Sequence, residues 1–415
     1  FFVGLFCYWN AGCPYKYFGS KTPYNVVRGD IRDSIIKLTD CKPVSIWSLI
    51  RHGTQNPSAE NGRNMKDAIV IRDYVVSSYE SGNCSLCAQD VENLRNWNID
   101  KGLLDKTHEL TKEGYQELVG IARRLKQAFP KLLSKLDKGD YTFRPGYGKW
   151  MEDSAKGFIE GLNKQLTVQK PKKDFDIMTP YASCGKYQTD VKENPDSYAE
   201  LDKYETNSEY LASRDRIQRR LGIDYRLSSV NISAMYDLCR YTSFGNENTV
   251  SPWCALFTTE DLKVLEYHKD LKHYYRNGYG TPMNRLFGEI VLADLLRSFK
   301  AAKEGNGQKI HSYITEDAMM DMAYTALNLF KDDAPLTGGK RHTDRKWRSS
   351  KVSVFSSNLI AVLNKCNMGG SEEHNVVFYL NEEPLISICK EGVCTWEEFE
   401  DKLKPFLDTK TDFCV

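Results

Sequence analysis

The sequence predicts an α/β fold carrying an inserted helical unit, on three observations. The apolar run Pro43-Val44-Ser45-Ile46-Trp47-Ser48-Leu49-Ile50 stops at the polar Arg51-His52-Gly53-Thr54, as a buried strand does when it opens into a loop. From about 150 to 285 strand signals are scarce, and helical segments alternate with polar stretches such as Gln169-Lys170-Pro171-Lys172-Lys173, read as a surface loop. Beyond 285 the alternation of strand and helix patterns returns. The chain therefore divides into an α/β part over 14–149, an inserted helical domain over 150–285 and a second α/β part over 286–415.

Each further element has its own local signal. Thr111-Lys112-Glu113-Gly114 opens a helix in which Leu118, Ile121, Ala122, Leu125 and Phe129 share one face, until Pro130 stops it. The last helix of the inserted domain starts at Thr258, with Asp261 three residues on as a capping-box variant. It buries Val264, Tyr267, Leu271 and Tyr274 and ends at Gly278 and Gly280. A helix over 283–301 follows, with Leu286, Ile290 and Leu296 on its apolar side. Ile310–Ile314 reads as a strand and Met319–Phe330 as a helix. Asn381-Glu382-Glu383-Pro384 reads as the turn of a hairpin joining Val376–Leu380 to Leu385–Cys389. Thr395-Trp396-Glu397-Glu398 caps a closing helix carrying Phe399 and Leu403.

Across 415 residues, 57 basic and 56 acidic side chains leave a net charge of +1, far from the positive field that nucleic-acid or acidic-membrane binding requires. A mean hydropathy of −0.53 and the lack of a long apolar run exclude a membrane span. Twelve cysteines point to disulfides, because Cys84-x-x-Cys87 has no second pair behind it to complete a zinc site. Cys239 with Cys254 and Cys389 with Cys394 are spaced to close short loops, and Cys41 with Cys366 to join the two ends of the α/β part. Glu372-Glu373-His374 lacks further ligands at metal spacing and reads as a solvated loop. The opening run Phe1-Phe2-Val3-Gly4-Leu5-Phe6-Cys7, with Ala11 and Gly12 after it, reads as a signal-peptide remnant over 1–13. Sequons at Asn83 and Asn231 and a C-terminal Asp412-Phe413-Cys414-Val415 without a retention signal agree with a secreted, extracellular glycoprotein.

Arg51-His52-Gly53-Thr54-Gln55-Asn56-Pro57 resembles the Arg-His-Gly-x-Arg-x-Pro motif of the histidine acid phosphatases, with four of its five fixed residues. Leu110-Thr111 with Gly114, Ser251-Pro252-Trp253-Cys254, Lys263-Val264-Leu265-Glu266-Tyr267, Gly278-Tyr279-Gly280, Phe330 to Leu336 and Arg345-Lys346-Trp347-Arg348-Ser349 are similar to the multiple inositol-polyphosphate phosphatase branch. The resemblance covers roughly 15–405. It implies a mixed sheet flanked by helices and built from both chain ends, an inserted all-helical domain, and a phosphate pocket between them. It further implies His52 as the phosphorylated nucleophile, cations around the phosphoryl oxygens, and neither metal nor nucleotide cofactor.

The sequence departs from that pattern where the family places its other cations. Gln55 stands for the second motif arginine. Trp150, four residues before Ser154, stands for a third, and Lys149 could replace it only at a register shifted by one. Glu316 stands for the second histidine, followed by Asp317 and Ala318, while His311 comes five residues too early, inside the strand. Each phosphate-holding group in an organised site is commonly worth ~3 kcal/mol, so such losses predict a deep fall in turnover. The leading expectation is a catalytically inactive acid-phosphatase-like protein that binds a small ligand through Arg51, His52, Gln55, Trp150, Glu316 and Asp317. With only Arg51 opposing Glu316 and Asp317, and with the Trp150 ring available to an ammonium, a biogenic amine or a lipid mediator is expected, as in saliva. Two alternatives stand beside it. One is an active phosphomonoesterase on inositol polyphosphates or other phosphate esters, with a phosphohistidine at His52, Arg51 retained and Asp317 as the acid. The other is a structural or protein-interaction role without a small ligand.

Overall fold

A computed structural model describes residues 13–241 and 250–414, so the signal segment expected at the start falls, but for Cys13, outside the described residues. The strands β1 (Cys41–Arg51), β2 (Tyr141–Pro145), β3 (Ile310–Thr315), β4 (Asn358–Met368), β5 (Ser371–Leu380), β6 (Glu383–Pro384) and β7 (Val393–Thr395) form one mixed sheet. Its order is β2-β3-β1-β4-β5-β6, with β7 also on β5. β2, β3 and β1 run parallel, whereas β4 and β5 are antiparallel to their neighbours. Side chains alternate across β1: Trp47 and Leu49 enter one core, Ile46 and Ile50 the other. A strand buried on both faces reads as a continuous apolar run, as observed in the sequence.

The longer helices include α1 (Ala59–Ala68), α2 (Lys112–Ala128), α3 (Lys149–Leu162), α4 (Ser208–Leu221), α5 (Ser229–Tyr241), α6 (Thr259–Asn277), α7 (Met283–Lys303), α8 (Asp317–Ala326) and α9 (Trp396–Leu403). The predicted caps are made. Thr111 accepts from Gly114 N at the start of α2, and both capping-box bonds form at Thr258 and Asp261 and again at Thr395 and Glu398. The apolar face of α7 is turned from the expected one: Phe287, Val291, Leu295 and Leu296 are buried, while Leu286 and Ile290 are half-buried. The helix lies against both β1 and α8, which together choose the face. Helix α8 starts two residues before the predicted Met319 and ends at Ala326, because Asn328 and Phe330 take positive φ of 57° and 55°.

The predicted hairpin is shorter than expected. Asn381 and Glu382 form its turn with φ of 49° and 67°, and Tyr379 pairs with Pro384 and Leu380 with Glu383. Leu385 N still donates to Phe378 O at 2.8 Å, but residues 386–389 do not continue the hairpin, because β7 already occupies that edge of β5, opposite Asn375, Val376 and Val377. The three expected disulfides, Cys41–Cys366, Cys239–Cys254 and Cys389–Cys394, are present, and a fourth joins Cys184 to Cys414. Among the described residues no helix is long and apolar enough to cross a membrane.

One apolar cluster packs α7, α8 and α9 on one face of the sheet, and another packs α2 and α3 on the other. A third gathers α4, α5 and α6 with Met65 and Ala68 of α1. From this packing we propose that the inserted helical unit begins after Leu162 rather than at 150 and is completed by α1 from the first part of the chain.

Candidate functional site

The site forms at the carboxyl end of the parallel strands, where Arg51 of β1 stands opposite Thr315 of β3. His52 N donates to Thr315 O at 2.9 Å and Arg51 N to Ser357 O at 2.8 Å, so the sheet itself sets the loop. Gly53 N donates to Ser154 Oγ on α3 at 3.1 Å, and the Glu117 carboxylate on α2 accepts from Thr54 N and Thr54 Oγ1 at 3.0 and 2.8 Å. The loop passes so close to α2 that a Cβ on Gly53 would lie 2.2 Å from Gly114 O, and one on Gly114 2.2 Å from Thr54 O. The glycines of the two sequence motifs thus serve a single backbone contact.

Arg51 is 1% exposed, and its Nη1 donates to Ser20 O and Ser353 O at 2.6 and 2.8 Å. Its Nη2 lies 3.2 Å from Asp317, the first residue of α8. His52 Nδ1 donates to Gly53 O at 2.9 Å. A carbonyl only accepts, so Nε2 holds the lone pair. Burial, then the Arg51 charge, pushes the imidazole down to about 3, which keeps it neutral. Burial alone would raise the Asp317 carboxyl, but Arg51, His273, Lys21 and His52 outweigh it and hold the group far below the usual carboxylate range. Glu316 precedes it, accepting from Tyr181 Oη at 2.8 Å, and burial pushes its carboxyl up.

These residues open on a cavity of about 750 Å3, lined among others by Arg51, His52, Gln55, Glu316 and Asp317, so the structure brings five of the six expected site residues together on its wall. Trp150 stands just behind that wall: its ring meets His52 edge-on at 6.5 Å and stacks on His108 at 5.4 Å. The Ser154 bond to Gly53 fixes the register that puts Trp150 there. Lys149 turns outward to Asp153, 76% exposed, and does not replace the missing cation. His311 lies within β3, away from the cavity.

The cavity is not the acidic cleft expected from Glu316 and Asp317. Lys21, Lys192, Lys269, Lys272 and Arg276 also face it, and Arg240 is matched by Asp237. Among the described residues the remaining carboxylate is Glu205, bound to His268 at 2.8 Å. Lys21 Nζ sits 4.5 Å from the centroid of the Phe355 ring, over which the Arg51 guanidinium stands at 4.2 Å. Burial and Arg51 push the Lys21 ammonium well below its ordinary range, and burial and Arg240 lower Lys269 to about 8. Burial disfavours the charged form of both lysines, and the neighbouring arginines add to that effect. One signal could have found this wall: Lys269, Lys272, His273 and Arg276 recur at helical spacing on α6, opposite its apolar stripe. Lys21 and Lys192 carry no such pattern. Among the described residues no group of three His, Cys, Asp or Glu side chains could hold a metal.

A basic cavity built over a buried, neutral histidine at the carboxyl end of an interior strand agrees with a phosphatase, and residues 45–381 match the model of the histidine phosphatase superfamily (branch 2), the family to which the chain belongs. The chain is 29% identical over 408 residues to multiple inositol polyphosphate phosphatase 1 of Drosophila melanogaster, covering 95% of this chain and 86% of that protein. It is 26% identical over 430 residues to the human protein of the same name, covering 95% and 87%. Among solved structures it shares the fold of the phytase from D. castellii, with a TM-score of 0.74 at 18% identity over 97% of this chain and 87% of that one. It also shares that of the Bifidobacterium longum multiple inositol polyphosphate phosphatase complexed with inositol hexasulfate, with a TM-score of 0.65 at 16% identity over 89% and 92%.

Proposed function

We propose that the protein is a phosphomonoesterase acting on polyanionic phosphate esters, inositol polyphosphates among them, through a phosphohistidine at His52, in an oxidising compartment outside the cytosol. The observation that carries this reading is the neutral His52, its Nε2 unprotonated, on the wall of a cavity where, among the described residues, Lys21, Arg51, Lys192, Lys269, Lys272 and Arg276 face Glu205, Glu316 and Asp317 once Arg240 and Asp237 are matched. Phosphoryl transfer spreads negative charge over three oxygens, and fixed cations lower its barrier. The names of the relatives and the inositol hexasulfate of the Bifidobacterium structure support the same substrate class.

Two earlier expectations give way on physical grounds. An ammonium ligand would enter a cavity whose described lining sets Lys21, Arg51, Lys192, Lys269, Lys272 and Arg276 against fewer carboxylates, so an amine is the wrong sign of ligand. Asp317 is ion-paired with Arg51 and ionised, so it carries no proton to give. Gln55 and Trp150 bring no charge to the phosphoryl end, and turnover is accordingly expected to be slow. Phosphate release from phytate and p-nitrophenyl phosphate, followed from about pH 4 to about pH 8, together with acid-labile phosphate on the denatured protein, tests the proposal. The result expected is both, each lost in His52→Ala. A cavity that binds inositol hexasulfate while neither signal appears would leave a binder and overturn the enzyme.

A further inference from the structure

With Asp317 ionised, the leaving oxygen needs another source for its proton, and the structure offers one on the helical wall. His273, on α6, donates from Nδ1 to Asp321 Oδ2 at 2.6 Å. Asp321 is fully buried on α8 and also accepts from Asn277 Nδ2 at 3.2 Å and from Ser353 Oγ. Ser353 in turn accepts from Arg51 through its carbonyl at 2.8 Å, so the anchor of His273 and the arginine beside the nucleophile share one residue. Asp321 follows Asp317 by four positions on α8, which places the two carboxylates on one helix face with Cβ atoms about 6 Å apart. The His273 side chain is 12% exposed, and the cavity it lines is the one that His52 and Asp317 line. Because Asp321 accepts the hydrogen bond from Nδ1–H, Nε2 is the atom left for the cavity.

We propose that His273 is the catalytic proton donor to the leaving oxygen and that Asp321 is its positioning residue, an inference that rests on the phosphohistidine reading above. His52 Nε2 attacks phosphorus, the bond from phosphorus to the ester oxygen breaks, and that oxygen takes the proton from His273 Nε2. A water then attacks the phosphohistidine and gives its proton back to His273 as the bond to His52 breaks. The imidazolium form of the ring is held by Asp321, with Asp317 on the same cavity wall to favour its charge, while Lys272 and Arg276 flank it on its own helix.

Proton donation matters most when the leaving group is a poor one. The full chain and its His273→Gln variant are compared on phytate, whose leaving group is an alkoxide, and on p-nitrophenyl phosphate, whose phenolate needs little help. The kcat on phytate is expected to fall by about 100-fold or more and that on p-nitrophenyl phosphate by less than about tenfold. The ratio of the two rates does not depend on the folded fraction, so an unchanged ratio overturns the inference even if the variant folds poorly. A changed ratio in Glu316→Gln with an unchanged one in His273→Gln gives the role to Glu316 and overturns it equally. Asp321→Asn should move the ratio in the same direction as His273→Gln, as a positioning residue must. A wild-type chain silent on both esters overturns the enzyme itself, a different outcome from an active chain whose ratio ignores His273.

Discussion

The two sides of the cavity are built on different terms. On the sheet side, Arg51 and His52 are 1% and 2% exposed, and every polar bond that orients them goes to backbone or to Asp317. On the helical side, Lys269, Lys272, His273 and Arg276 project from one face of α6, while Lys21 and Lys192 line the same cavity from the ends of short helical turns. The sheet side supplies orientation and a neutral nucleophile, and the helical side supplies charge. The cations missing at Gln55, Trp150 and Glu316 are therefore missing from one side only, and a charge count confined to that side gives the cavity the wrong sign.

Substitutions can break this contrast, the largest effect falling on the sheet side. His52→Ala is expected to lower phosphate release at least about a thousandfold with little change in melting temperature, because a neutral ring leaves no unpaired charge behind. Arg51→Met should cost about 3–5 kcal/mol of stability in denaturant titrations, since it strands Asp317 beside a buried site, and adding Asp317→Asn should recover much of the loss. The sign with pH is set by the depressed Asp317 carboxyl. The stability its pair with Arg51 contributes is present above the unfolded carboxyl pKa of about 4 and is lost as pH falls towards the lower folded value. A stability maximum below about pH 4 would contradict the pairing. Opening Cys184–Cys414 by a double Ser substitution should cost about 2–4 kcal/mol. It would also loosen the segment that carries Tyr181, bonded to Glu316, and Lys192 on the cavity wall.

What the sequence disclosed follows the range of the interactions involved. β1, α2, α6 and α9 were legible because their caps and apolar stripes are set within a few residues. Three disulfides were legible from spacing and from the two ends of the α/β part, whereas Cys184–Cys414 spans 230 residues and depends on how the chain end docks. Strand β4 was missed although Leu359-Ile360-Ala361-Val362-Leu363 is a continuous apolar run, since a short apolar run does not by itself distinguish strand from buried helix. At the site, Arg51, His52, Gln55, Glu316 and Asp317 were found from motif positions, but their electrostatic setting was not. Lys21 lies 30 residues before Arg51 and shares the Phe355 ring with it, and the His273–Asp321 pair joins two helices through residues 48 apart. No local pattern encodes such meetings.

The helical side allows gentler tests. Lys269→Ala or Lys272→Ala should weaken inositol hexasulfate binding by roughly tenfold, more at low salt than at high, without altering the His52 environment. The smallest expected effect is also the most specific. Burial and Arg240 hold the free Lys269 ammonium to about 8, so near pH 8 about half of the sites lack that proton. A bound polyanion favours the charged form, which raises the pKa, and binding must then draw protons from the buffer. Calorimetric heats for inositol hexasulfate, compared between buffers of different ionisation enthalpy, should show an uptake that grows by about half a proton from pH 6 to pH 8. Lys269→Met should remove that increment while leaving whatever Lys21 contributes. An increment that persists in the variant would mean that Lys269 does not face the bound anion, and that the positive potential of the cavity has its source nearer the sheet.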